Sequence, residues 1–228
     1  MLKYYYNTGP NPMKVTLFLE EAELGYEPIP LDTRKGEQHE PEFLAINPNA
    51  KAPTIIDGEV TIFDSNAILL YLAEKTSKFL PTPSNVTRGE LLSWLMFVAT
   101  GVGPYSGQSV HFRVHAPEKI SYALNRYEFE ARRHFGILDD RLATRHYVLG
   151  DEYTIVDMAV WGWSRLIPRV LSEDAKSDFP NLQRLVDEIS VRPAGRRAIE
   201  FSQRHAFKTE MDADAHRNMF PGNPALKI

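Results

Sequence analysis

The chain has 228 residues, 43% of them hydrophobic and 25% charged, an ordinary globular composition with room for one large domain or two small ones. Its net charge of −4 offers no basic field for nucleic acid. It contains no cysteine, which excludes disulfides, thiolate metal sites and a thiol nucleophile of its own. The seven histidines are scattered, and the i, i+4 pair His111 and His115 has no third ligand nearby in sequence, so no metal is expected. No run approaches the roughly 18 apolar residues of a membrane helix, and no membrane partner is expected. Met1 to Tyr6 reads as a strand rather than a secretory signal, which makes the cytoplasm the expected compartment.

Taken in chain order, Leu2 to Tyr6 is a first strand, with Tyr5 and Tyr6 as packing residues. Val15, Phe18, Leu19 and Ala22 mark one face of a helix. Tyr26 to Leu31 is a second strand, and Pro28 with Pro30 confines it to a sheet edge. A strand–helix–strand unit of this length predicts two parallel strands. Two β-rich runs around Asp57-Gly58, within residues 53–63, predict a hairpin. A helix then runs from Ser65 to about Lys75. This order, βαβ followed by ββα, is a thioredoxin-like α/β arrangement over residues 1–80.

Residues 81–86 form a proline-rich linker. An all-α domain is expected over 87–205, with helices near 87–114, 117–144, 154–167, 180–190 and 193–204. Gly101, Gly103 and Pro104 should bend or break the first of these. Thr154 and Asp157 form a capping-box pattern at the start of the third. Residues 206–228 lose periodicity and read as an extended tail.

Three short segments can carry chemistry. In Thr8-Gly9-Pro10-Asn11-Pro12, Asn11 before a proline is an ordinary helix N-cap. A helix N-terminus with amide and hydroxyl donors also stabilises an anion such as a thiolate. In Lys51-Ala52-Pro53, a cis proline would turn the Ala52 backbone outward, free to pair with a peptide ligand as an added strand. In Asp64-Ser65, an ordinary cap is one reading; a carboxylate site at a helix N-terminus, with Asp64 taking an ammonium, is the other. Gln38 and Lys51 can reach a second carboxylate at the far end of such a ligand. The helical half offers Tyr105, Gln108, His111, Phe112, Tyr122 and Trp163 as either core or pocket. Arg132 and Arg133 sit beside Glu128 and Glu130 and read first as a solvated face.

With these motifs in hand, nearly the whole chain resembles the glutathione transferases, and among them the bacterial Nu-class branch related to the yeast nitrogen-regulatory prion protein. The resemblance rests on Pro10-Asn11, the run from Lys14 to Leu24, Lys51-Ala52-Pro53, and the run from Asp64 to Lys75. In the helical half it rests on Gly103-Pro104, Gly107-Gln108, His111-Phe112, Arg126-Tyr127 and Tyr153 to Asp157. It implies glutathione as co-substrate, with no metal. It implies a cis Pro53, Ala52 on the cysteinyl backbone, Asp64 and Ser65 at the γ-glutamyl end, and Gln38 and Lys51 near the glycyl carboxylate. It also implies a homodimer in which Arg133 approaches the neighbouring subunit's glutathione, and a small electrophile or disulfide as second substrate, with Tyr105, Gln108, His111, Phe112 and Tyr122 around it. The branch is similar in placing a threonine near the sulfur where this chain has Gly9. Asn11 is therefore the expected thiolate contact, with Thr8 as the substitute hydroxyl.

Overall fold

The computed structural model describes residues 1–222. A four-stranded sheet is built from β1 (Leu2–Tyr6), β2 (Tyr26–Pro30), β3 (Thr54–Asp57) and β4 (Val60–Phe63), in the order β2-β1-β3-β4. β1 and β2 are parallel, and the β1–β3 and β3–β4 pairs are antiparallel. Pro28 and Pro30 cannot donate to a ladder on both sides, and β2 is an edge strand as expected. Alternation along β1 buries Leu2, Tyr4 and Tyr6. Tyr4 satisfies its hydroxyl by donating to the Pro12 carbonyl at 2.5 Å, while Tyr6 packs against Phe201.

Helix α1 (Pro10–Ala22) is buried on nearly every side, including Lys14 and Thr16. It packs against α3 (Ser65–Thr76) on one side and the helical half on the other. A short helix α2 (Pro41–Leu44) precedes the hairpin. The hairpin turns at Gly58, whose φ of +63° suits glycine.

The helical half holds α4 (Asn85–Phe97), α5 (Gly103–Val110), α6 (Ser121–Leu142), α7 (Ile155–Ser164), α8 (Ile167–Val170), α9 (Pro180–Val191) and α10 (Pro193–Phe201). Ser84 and Thr87 cap α4 reciprocally, which places the helix start inside the expected linker. Of the bend or break expected at Gly101, Gly103 and Pro104, the break does not occur. Asn85 to His115 is one helical run with wide π turns at Val98–Val102 and His111–His115. The first wide turn makes room for a proline ring that lacks an N–H. Gly101 instead serves a close approach: a Cβ there would lie 2.4 Å from His134 Nε2. The helix expected at 154–167 splits into α7 and α8, and the capping box at Thr154 and Asp157 is present. The tail is not wholly extended. It contains α11 (Ala213–Met219), capped by Asp212, which is too short to show helical periodicity. Residues 223–228 of the tail lie outside the described residues.

One hydrophobic cluster runs from Leu2 and Leu17 in the first half to Trp161 and Leu185 in the second, so α1 is shared core. Among the described residues no helix is long and apolar enough to cross a membrane.

Candidate functional site

Strand register builds the site. Tyr6 pairs with Pro30, Tyr5 with Thr54, and Thr54 with Phe63. The exit of β1, the exit of β2, the entry to β3 and the exit of β4 therefore share one end of the sheet. Residues 7–11, 32–34, 52–53 and 64–65 follow or precede those ends, so segments distant in sequence meet there.

At the exit of β1, the expected cap is corrected. Gly9, not Asn11, is the N-cap of α1, and no side chain caps it. Asn11 is in the first turn, after Pro10, and its Oδ1 accepts from Trp163 Nε1 at 3.0 Å. An indole nitrogen only donates, so the amide oxygen must face Trp163 and the Asn11 NH₂ is turned away from it. Among the described residues that NH₂ makes no hydrogen bond, and its orientation is fixed by the oxygen's contact. Asn7, which carries no sequence motif, accepts from the Gly9 N–H at 2.9 Å through Oδ1. A Cβ at Gly9 would lie 2.9 Å from that same oxygen. The Asn7 amide thus occupies space that a threonine at position 9 would need. Thr8 is exposed beside it.

At the entry to β3, the Ala52–Pro53 peptide bond is cis. Asn47, buried and also missed by sequence, braces this loop by donating from Nδ2 to the Lys51 carbonyl at 2.7 Å and to Thr54 Oγ1 at 2.9 Å. Lys51 itself is exposed. At the exit of β4, Asp64 caps α3, accepting from the backbone N–H groups of Asn66 and Ala67. Its φ of +73° is uncommon for a residue with a side chain. Ser65 is buried at the first position of α3, and its Oγ accepts from Lys14 Nζ at 3.3 Å.

Gln38 is 3% exposed, and its Nε2 donates to the carbonyls of Asn218 at 2.8 Å and Thr33 at 3.2 Å. The tail thus holds the amide that was expected to meet a ligand's glycyl end. It is tied down elsewhere too: Arg34 donates to the Lys208 carbonyl at 2.7 Å, and Asn218 Nδ2 to the Arg34 carbonyl at 2.9 Å.

A cleft of about 440 Å³ separates the β1–α1 loop from the helical half. Asn7, Thr8 and Gly9 face Gly107, His111, His115 and Trp163 across it, and Phe207, Met219 and Phe220 of the tail close one side. Of the second-substrate residues expected from sequence, His111 lines it. Tyr105 and Phe112 do not. They join Tyr127 of α6 in an aromatic cluster, Phe112 stacked on Tyr127 at 5.2 Å. Gln108 is exposed and lies outside the lining, and Tyr122 is 82% exposed, outside the cleft altogether. A helix presents several faces, and sequence did not say which one met the cleft. Burial and the neighbouring His216 lower the His111 pKa. His115 falls to about 4, through burial first and then the nearby Arg169. Both shifts favour the neutral imidazole, and both rings pack against Phe220. Arg133 donates to Glu130 at 2.9 Å within its own helix. Among the described residues no group of three or more His, Cys, Asp or Glu side chains could hold a metal ion.

Comparison with known proteins gives the arrangement a context. Residues 1–74 match the model of the glutathione S-transferase N-terminal domain, and residues 104–193 that of the C-terminal domain. The chain is similar to the disulfide-bond oxidoreductase YfcG of Escherichia coli K12, 41% identical over 206 residues that cover 87% of this chain and 94% of that protein. It is similar in structure to the glutathione transferase URE2P6 of Phanerochaete chrysosporium in complex with oxidized glutathione, with a TM-score of 0.83 and 34% identity over 89% of this chain and 96% of the other. A glutathione transferase family member from Pseudomonas fluorescens pf-5 with two glutathione bound gives a TM-score of 0.81 and 34% identity, covering 87% and 92% of the two chains.

Proposed function

This chain belongs to the glutathione S-transferase family, on its Ure2p-like branch, and on that premise we propose that it binds glutathione along the shared strand-end face and uses it to reduce disulfides. The observation that carries the reading is the Asn11 amide, whose NH₂ is turned away from Trp163 because that indole takes its oxygen. Together with the N-terminus of α1, this donor lowers the pKa of a thiol bound there. A free thiol titrates near pH 8.5, and each unit of depression needs about 1.4 kcal/mol of preference for the thiolate, within reach of one charge-assisted hydrogen bond. Thr8 and Asn7 supply further donors at the mouth of the cleft. In this reading the chain lends no nucleophile. Glutathione supplies the attacking sulfur, and the protein positions it.

Ala52 pairs with the cysteinyl backbone. Ser65, through its hydroxyl and its own backbone N–H at the start of α3, holds the γ-glutamyl carboxylate, with Asp64, which keeps the Asn66 and Ala67 amides through its cap, offering its carboxylate to the ammonium. Gln38 and Lys51 serve the glycyl end once the tail yields Gln38. The second substrate enters the cleft against His111 and Trp163. The likeness to a disulfide-bond oxidoreductase favours a disulfide there; attack on an electrophilic carbon would use the same donors. A homodimer, with Arg133 released from Glu130 to reach the neighbouring site, completes the proposal, and light scattering at micromolar concentration tests it.

Calorimetry should give a glutathione Kd between micromolar and millimolar, about −8 to −4 kcal/mol, and Ser65→Ala should weaken it. Turnover should follow with bis(2-hydroxyethyl) disulfide. Turnover of aryl halides alone would move the reading to conjugation. Binding without any turnover would favour a regulatory protein on the same fold, and an absence of binding would refute the proposal.

A further inference from the structure

Lys14 lies on α1 with 1% of its surface exposed. Its Nζ is 3.3 Å from both Ser65 Oγ and Asn66 Oδ1. Both acceptors are neutral, and Lys14 forms no ion pair among the described residues. Asn66 is oriented for this contact, because its Nδ2 donates to the Leu95 carbonyl at 3.0 Å and leaves Oδ1 facing the lysine. Room for the lysine stem comes from α7. A Cβ at Gly162 would sit 2.5 Å from Lys14 Cγ and 2.7 Å from the Pro10 carbonyl oxygen, so the glycine of α7, a poor helix former, lets both the lysine stem and the start of α1 approach.

Packing alone does not account for this arrangement. Burying an ammonium without a counter-ion is costly. Setting it against the N-terminus of α3, the positive end of the helix dipole, adds to the cost. A methionine or leucine would fill the same space with neither penalty. The arrangement becomes favourable when an anion arrives at the same helix start.

We propose that Lys14 is a positioning residue for the α-carboxylate of glutathione, acting through Ser65. The inference rests on the reading of the α3 N-terminus given above. Lys14 donates to a lone pair of Ser65 Oγ, which leaves the serine proton to donate outward to the carboxylate. Donation into the oxygen polarises the hydroxyl and strengthens the outward bond. The buried charge also adds to the field of the α3 amides. Lys14 thereby selects ligands that carry the α-carboxylate. The charged group that faces it is Asp64 at the cap of α3, which favours the ammonium, whereas burial disfavours it and draws its pKa down to about 7. From the other packed elements it meets Gly162 of α7 and, through Asn66, the Leu95 carbonyl of α4.

The test uses S-methylglutathione, which has no thiol and so removes the sulfur end from the measurement. Its partner probe is the S-methyl form of 4-aminobutyryl-cysteinylglycine, the same peptide without the α-carboxylate. Lys14→Met should weaken binding of S-methylglutathione about ten-fold or more, about 1.4 kcal/mol, and leave binding of the decarboxylated peptide nearly unchanged. The melting temperature of the empty variant should equal or exceed that of the wild type, because a buried unpaired charge has been removed. In the wild type, affinity for S-methylglutathione should fall between about pH 6 and pH 8 as Lys14 loses its proton, and affinity for the decarboxylated peptide should stay flat. Equal losses for the two peptides, or none for either, would overturn the inference. If Lys14→Met does not fold, the two wild-type pH profiles decide: parallel profiles overturn it and divergent ones support it. Ser65→Ala separates the underlying reading. If that variant binds normally and the wild type shows no preference for the carboxylate-bearing peptide, the α3 assignment itself fails. If the preference holds and Ser65→Ala weakens binding while Lys14→Met does not, only the role of Lys14 falls.

Discussion

The cleft has two walls, and they place their residues by different means. The sheet wall works through element ends. Asn11, Ala52 and Ser65, outside the cleft's own lining of Asn7, Thr8 and Gly9, each sit at the start or finish of a strand or helix, where the backbone fixes where a residue stands. Strand register then carries all three to one end of the sheet. The helical wall works through faces. Tyr105, Gln108, His111 and Phe112 lie on one continuous helical run, yet only His111 of these reaches the cleft, because rotation and packing against α6 decide which face turns inward. A residue at an element end can therefore be assigned from its neighbours. A residue on a helix face needs the rest of the molecule.

The contrast is sharpest at Asn11. Asn11→Asp keeps an oxygen for Trp163 but replaces the free NH₂ with a negatively charged oxygen. Turnover should fall about 100-fold or more, the scale set by losing a donor to a developing anion. The thiolate absorbance of bound glutathione should titrate at higher pH. The melting temperature should hold, since an acid in the first turn of α1 suits the helix dipole. Full activity with an unchanged pH–rate profile would remove Asn11 from the chemistry.

Trp163→Phe asks how far the helical wall governs the sheet wall. It removes the indole N–H that orients Asn11 and should cost about three- to ten-fold in kcat/KM, the worth of one hydrogen bond. In an Asn11→Ala background the same change should cost little more. Additive losses would mean that Trp163 acts on its own.

Ending the chain at Lys208 removes α11 and frees Gln38 from the Asn218 carbonyl. Glutathione should then bind about three-fold tighter, because a competing hydrogen bond has gone. An unchanged Kd would place the glycyl end away from Gln38. The smallest effect is expected at Tyr122, which is 82% exposed and outside the cleft. Tyr122→Ala should change kcat/KM less than two-fold and stability by no more than about 0.5 kcal/mol; a larger kinetic loss would show that the helical wall extends further than the cleft in one chain.

Much of the fold was legible because its signals are local. The prolines of β2 exclude a central strand, Asp57-Gly58 makes a turn, and Thr154 with Asp157 forms a reciprocal cap within four residues. The errors arose where local signals have two outcomes. Pro104 reads as a bend or a break, and the helix runs on through it by a wide turn. Asn11 before Pro12 reads as a cap, but the helix begins at Pro10. The tail reads as extended because seven residues of α11 are too few to show a period.

The sequence by itself determined the four strands, the hairpin and the longer helices, because turns, strand periods and sustained helical periods depend on neighbours a few positions away. The tertiary structure decided what those residues are free to do. Asn11 owes its orientation to a tryptophan 152 residues later in the chain. Gln38 is held by a carbonyl 180 residues later. Lys14, one member of an apolar helical run, becomes a buried amine against a helix start 51 residues away. A hydrogen-bonding group keeps its chemistry wherever it lies, but whether it is satisfied, aimed or open to a ligand depends on which distant atoms packing brings to it.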